Sequence, residues 1–206
     1  MALPADVRDP AAIGEAVRRA EVDLGGLDVV IANAGIGYAR HAARLQVDRT
    51  LDVIDVNVKG AIATLLAAVP IFLLQRSGHL VGVSSLAGRV GLPASGAYSA
   101  SKAALSAFLE TLRVDLAPSG IRVTDVRPGF VATPMTAGHR HPMPFLWPVD
   151  KAARVMVQRL ERAPATVTFP WPLAALVELA RWMPPWLYDR VVSLGPSVAS
   201  DEDAAG

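Results

Sequence analysis

Leu27-Asp28-Val29-Val30-Ile31-Ala32-Asn33-Ala34-Gly35 is the stretch on which the reading of this chain turns. Residues 29–32 form a short, unbroken apolar run, the pattern of a parallel strand covered on both faces rather than of a half-buried one. The run follows a helical pattern over residues 11–23, in which Ile13, Ala16, Val17 and Ala20 are apolar with charges between them, and which Gly25-Gly26 ends. Asp9-Pro10 reads as the entry to that helix, with Asp9 as its N-cap. Further along, residues 49–74 read as a long helix distorted by Pro70, and 79–84 as a strand. Residues 99–116 read as a helix stopped by Pro118 and Gly120, and 121–126 as a strand ended by Pro128-Gly129. Residues 150–162 are a further helix. Strands alternating with helices predict an α/β fold: a doubly wound parallel sheet between two helical layers.

Composition narrows the function classes. Of 206 residues, 52% are hydrophobic and 19% charged, which suits one domain with a real core. A net charge of +1 gives no electrostatic case for nucleic acid. There are no cysteines, so disulfides and thiolate metal sites are excluded. Residues 1–6 lack the basic start and apolar run of a signal peptide. The longest apolar stretch, residues 60–74, falls short of the roughly 20 residues that span a bilayer and reads as a buried helix. The expectation is a soluble, cytoplasmic protein.

Chemistry concentrates in Tyr98-Ser99-Ala100-Ser101-Lys102. A tyrosine and a lysine four apart share a helix face, where the ammonium can stabilise a phenolate. Free tyrosine titrates near pH 10, and an alcohol does not release its proton readily at neutral pH. Tyr98 is therefore the candidate acid/base, and Ser85, upstream of it, can hold a carbonyl oxygen. Asn33-Ala34-Gly35 lies at the carboxyl end of a strand, where open parallel sheets bind ligands. His139 and His141 form His-x-His without further ligands at metal spacing, so no metal site is assigned. Trp171, Trp182, Trp186 and Tyr188 lie among leucines in 171–192, a segment that reads as a lid over the substrate or a subunit contact. A face lying on a membrane surface is the alternative, with Glu178, Arg181, Asp189 and Arg190 as its solvated edge.

Taken in order, these motifs resemble the short-chain dehydrogenase/reductase family. They are Asp6-Val7 at a strand end, Asn33-Ala34-Gly35, Asn57-Val58-Lys59-Gly60 in the long helix and Ser84-Ser85-Leu86-Ala87-Gly88 after a strand. Tyr98 to Lys102 and Pro128-Gly129 before Thr133 complete the set. The match covers residues 5–133, with looser similarity to 186. The resemblance implies a Rossmann-like fold and an NAD- or NADP-dependent oxidoreductase that interconverts an alcohol and a ketone or aldehyde. It implies a catalytic set of Asn57, Ser85, Tyr98 and Lys102, with Lys102 also bonding the nicotinamide ribose and Asn57 holding a proton-relay water. Asp6 and Val7 would lie at the adenine, and Asn33, Ala34 and Gly35 beside the adenosine ribose. Pro128, Gly129, Val131 and Thr133 would wrap the nicotinamide. The substrate would be a small or moderately lipophilic alcohol or carbonyl compound, and the long helices would build a homodimer or homotetramer.

The sequence departs from the family in one place. The Thr-Gly-x-x-x-Gly-x-Gly turn, whose glycines let the backbone approach a pyrophosphate, is absent from it. Residues 1–7 read as the tail of a third strand, and the comparison implies an N-terminally truncated member without its first βαβ unit. Sheet edges and apolar helix faces are then expected to be exposed. One domain is expected over 1–199, with 138–192 as substrate loop and C-terminal lid or interface and 200–206 as a disordered tail. Two other readings stay open: an inactive chain serving as a subunit or binding partner, and an epimerase or dehydratase of the same family.

Overall fold

The computed structural model describes residues 1–137 and 142–194; His139, His141 and the tail 200–206 lie outside them. Helix α1 (Pro10–Leu24) starts where Asp9 accepts the backbone N–H groups of Ala11 and Ala12 at 2.9 and 3.2 Å, with proline at the first helical position. It ends at Gly25, whose φ of 74° is the left-handed conformation glycine adopts without strain. Strand β1 (Val29–Ala32) follows, then α2 (Val47–Ile54), a π turn (Asp55–Gly60) and α3 (Ala61–Gln75). Strand β2 (Gly78–Val83), helix α4 (Gly96–Leu116) and strand β3 (Ile121–Pro128) complete the central part. Short strands β4 (Val131–Ala132) and β5 (Trp147–Pro148) pair with each other around α5 (Pro134–Ala137). Helix α6 (Val149–Leu160), strand β6 (Thr166–Phe169), α7 (Trp171–Arg181) and α8 (Pro185–Ser193) close the described chain.

Strands β1, β2, β3 and β6 form one parallel sheet in that order, with Ile31 opposite Val81, Val81 opposite Thr124 and Val126 opposite Val167. Side chains alternate across a strand, so Leu80 and Val123 pack with Leu65, Phe72, Leu105 and Leu109 of α3 and α4. Val81, Val126, Val167 and Phe169 pack on the other face with Ala152 of α6. The expected three-layer α/β architecture is present.

Three details differ from the sequence reading. The run 29–32 has the composition of a strand covered on both faces, yet β1 is the edge of the sheet, and Val29 and Ile31 are 46% and 42% exposed. Residues 1–7 form no strand, because no described strand pairs with them; 1–6 have no regular structure and the chain turns at Val7-Arg8. The long helix runs unbroken over Val47–Gln75, 29 residues, so by length and composition it could cross a membrane, contrary to the shorter stretch read from sequence. Its Leu65, Ala68 and Phe72 are instead completely buried in the core. Pro70 is accommodated within α3, and the helix's irregularity falls earlier, at the π turn that carries Asn57.

Candidate active site

The first turns of α4 carry Tyr98 and Lys102 on one face, with the Lys102 ammonium 5.7 Å from the centre of the Tyr98 ring. Lys102 is 4% exposed, and its Nζ donates a hydrogen bond to the Val83 carbonyl at 2.8 Å, at the carboxyl end of β2. Ser84 continues the strand pairing by donating its N–H to Val126. Ser85 then opens a tight turn over Leu86–Gly88, accepting the Ala87 N–H at 3.1 Å. A Cβ at Gly88 would lie 2.7 Å from the Lys102 carbonyl carbon, so glycine lets this turn rest directly on the α4 backbone. The turn brings Ser85 beside Tyr98, where its hydroxyl favours the phenolate.

Asn57 approaches from the π turn and is 1% exposed. Its side-chain amide closes on the backbone of one residue: it accepts the Ile36 N–H at 2.8 Å and donates to the Ile36 carbonyl at 3.0 Å. It also donates to Ser101 Oγ at 3.0 Å, and Ser101 donates to the Tyr98 carbonyl at 2.8 Å. The loop leaving β1 is thereby fastened to both long helices. A Cβ at Gly35 would stand 3.3 Å from Asn57 Oδ1 and 3.4 Å from Lys102 Nζ, so the absence of a side chain there leaves the front of the ammonium open.

Burial shapes the electrostatics of the pair. It pushes the Lys102 ammonium down to about 8, partly opposed by the negative charge of Asp125. Burial also raises the Tyr98 phenol, with the Ser85 hydrogen bond acting the other way. Burial thus works against the phenolate that the sequence reading has Lys102 favouring.

Asn57, Ser85, Tyr98 and Lys102 thus come together with Gly35. Pro128 joins them, its carbonyl 3.4 Å from Ser85 Oγ, and Gly129 beside it packs under Leu173 and Leu86. Asn33 and Ala34 lie in the segment between β1 and Gly35. Val131 sits in β4, and Thr133 donates its N–H to Thr136, whose hydroxyl in turn reaches the Val131 carbonyl. Val7 packs against Gly60 and not against the Tyr98–Lys102 pair. Asp6 is tied in an exposed ion pair with Arg8 at 2.6 Å, whose hydrogen bonds hold its carboxyl down at about 2. Glu178 is less a solvated edge than a fastening: it pairs with Arg89 at 2.7 Å, while Tyr188 donates to the Gly91 carbonyl, so α7 and α8 are clipped to the loop after Ser85.

Sequence reasoning quoted Ser84, Gly88 and Ser101 only within motifs, gave them no role, and left Asp125 unmentioned. The available signal was Asp125, the one acid within strand β3.

The family model for short chain dehydrogenases matches residues 1–144, and the chain belongs to that family. An uncharacterised oxidoreductase of Myxococcus xanthus (strain DK1622) is 48% identical over 184 residues, covering 89% of this chain and 73% of that protein. An uncharacterised oxidoreductase of Staphylococcus aureus (strain MW2) is 39% identical over 137 residues, and the matched part spans only 59% of its length. Among solved structures, a short chain dehydrogenase from Burkholderia cenocepacia J2315 in complex with NADP superposes with a TM-score of 0.78 at 25% identity. That match covers 87% of this chain and 75% of that one.

Proposed function

We propose that this chain carries the catalytic part of an NAD- or NADP-dependent oxidoreductase that interconverts an alcohol and a ketone or aldehyde. The observation that supports the reading most is the convergence of Ser85, Tyr98, Lys102 and Asn57 at the carboxyl ends of parallel strands, with Asn57 tied to the Tyr98 turn through Ser101 and Lys102 tied to the end of β2. The NADP carried by the Burkholderia relative adds to it.

The residues suit the nicotinamide end of such a cofactor. Gly35 leaves space before a buried ammonium and an amide, and Lys102, Gly35, Pro128, Gly129, Val131 and Thr133 would hold that end. The Gly-rich turn that cradles a pyrophosphate is not in this sequence, so Asn33, Ala34 and Asp6 would be the remaining contacts toward the adenosine. When bound, the cofactor supplies the hydride acceptor or donor. Tyr98, which burial favours as a phenol, is set to give its proton to a carbonyl oxygen, and in the reverse direction its phenolate would take the proton of an alcohol. Ser85 donates to the same oxygen and fixes the carbonyl's orientation. Lys102 holds positive charge beside the phenol, and Asn57 keeps the α4 turn and the 33–36 loop in register.

The test is oxidation of a panel of small and lipophilic alcohols, and reduction of the matching ketones, by the purified chain with NAD(H) and NADP(H). Turnover that Tyr98→Phe lowers by a factor of about 10² or more is the expected result. Failure to turn over any pair, together with no change in nicotinamide fluorescence on mixing, would overturn the reading and leave the chain as a non-catalytic partner.

A further inference from the structure

One acid near the site has no part in the reading above. Alternation along β3 sends Val123, Asp125 and Arg127 to the side of the sheet that α4 covers. Asp125 is 3% exposed, and both its oxygens are engaged. One accepts the Ser84 hydroxyl at 2.5 Å and the other accepts Arg127 Nε at 2.6 Å. Arg127 in turn reaches Glu110 on α4 at 3.2 Å. Ser84 is the residue between two members of the site. Before it, the Val83 carbonyl takes the Lys102 ammonium; after it, Ser85 stands beside Tyr98 with its hydroxyl toward the Pro128 carbonyl. The shortest side-chain bond along these three residues is the middle one, and it ends on a buried carboxylate.

The surroundings of Lys102 are otherwise neutral: Tyr98 on its own helix, the Val83 carbonyl from β2 and the Asn57 amide beyond Gly35. Asp125 supplies the negative charge that acts on it, with Arg127 and Glu110 behind. We propose that Asp125 is a positioning residue. Through Ser84 it fixes the end of β2 that offers the Val83 carbonyl to Lys102 and leads into Ser85. The catalytic consequence rests on the oxidoreductase reading, whereas the effect on Lys102 does not.

The chain has only three lysines, Lys59, Lys102 and Lys151, so the full chain labelled with 13C at lysine Cε gives a resolvable titration by NMR. Asp125→Asn and Ser84→Ala are each expected to move the Lys102 midpoint down by about half a pH unit or more, since the Val83 carbonyl that accepts from the ammonium is then less firmly held. In alcohol oxidation both substitutions are expected to lower kcat about tenfold with KM within about twofold, the pattern of a displaced but still bound reaction geometry. A Lys102 midpoint unmoved in Asp125→Asn, or a kcat unmoved in Ser84→Ala, overturns the proposal. If Asp125→Asn does not fold, the Ser84→Ala rate decides. If the native chain oxidises nothing, the oxidoreductase reading fails and the lysine titration still decides whether the tie from Asp125 to Ser84 acts on Lys102.

Discussion

His79 shows how much a single side chain can be constrained. It lies in β2, almost fully buried, with its Nε2 2.8 Å from the Thr124 hydroxyl. Thr124 has one proton and donates it to the Pro164 carbonyl at 2.6 Å, so the hydrogen between ring and hydroxyl belongs to His79 Nε2. Burial, reinforced by the charge of Arg122, holds the imidazole neutral and pushes it down to about 4. Between pH 4 and 6.5 the unfolded chain therefore binds the extra proton and the folded one does not, so stability rises with pH across that window and falls on acidification. Urea titrations are expected to lose about 1–3 kcal/mol from this group between pH 7 and pH 4, a slope that His79→Gln removes. Ser106, one turn after Lys102 on α4, is the opposite case: its buried hydroxyl has no partner among the described residues. Ser106→Ala is expected to be neutral or to stabilise by up to about 1 kcal/mol in the same measurement, since nothing is lost and an unsatisfied polar group is removed. At this scale the sequence is legible where spacing carries the message. Tyr98 and Lys102 follow from helical geometry, and Asp9 follows from capping chemistry. The bonds of Ser101 to Asn57 and of Asp125 to Ser84 span 44 and 41 residues, and no local pattern encodes them.

Among the elements, β1 is the one whose composition and position disagree. Its neighbour on one side is β2; along its other edge no described strand pairs, and the side chains of Val29 and Ile31 meet solvent. Backbone donors and acceptors along such an edge are a template for another strand. Ile31→Lys is expected to leave the far-ultraviolet circular dichroism unchanged and to lower light scattering at high protein concentration; unchanged scattering would mean that this edge is not where copies meet. Helix α3 is the contrasting element, since its Phe72 is completely enclosed in the core formed with α4 and the sheet. Phe72→Ala is expected to cost about 3–5 kcal/mol by urea denaturation. Apolar periodicity located both elements. It could not tell an edge from a centre, because a run of valines reads the same whatever lies beside it.

For the molecule as a whole, the four-stranded sheet separates two cores, and the candidate site lies where β1, β2 and β3 deliver their ends to the start of α4. The order of strands and helices was legible because each element carries its own period and its own stop signals. The attachment of the C-terminal helices was not, since it depends on Arg89 meeting Glu178 and Tyr188 meeting Gly91 across the fold. Those two fastenings tie α7 and α8 to the loop that follows Ser85, leaving Trp182 and Trp186 facing solvent. Glu178→Gln combined with Tyr188→Phe is expected to free the helices, seen as faster hydrogen exchange confined to 171–193 and to the loop 86–95; unchanged exchange would show that apolar packing alone holds them.

The wider turn at Asp55–Gly60 has a consequence in angular phase. Each residue of an α-helix advances the side chains by about 100°, so one helix of uniform pitch carries a single fixed schedule of directions. The extra residue taken up by a π turn resets that schedule partway along. Before the reset is complete, Asn57 points at Ser101 and the 33–36 loop; beyond it, Leu65 and Phe72 point at the sheet. Deleting one residue within the turn would make the helix regular and force a choice between the two aims. The irregular turn is what allows one rod to serve two addresses.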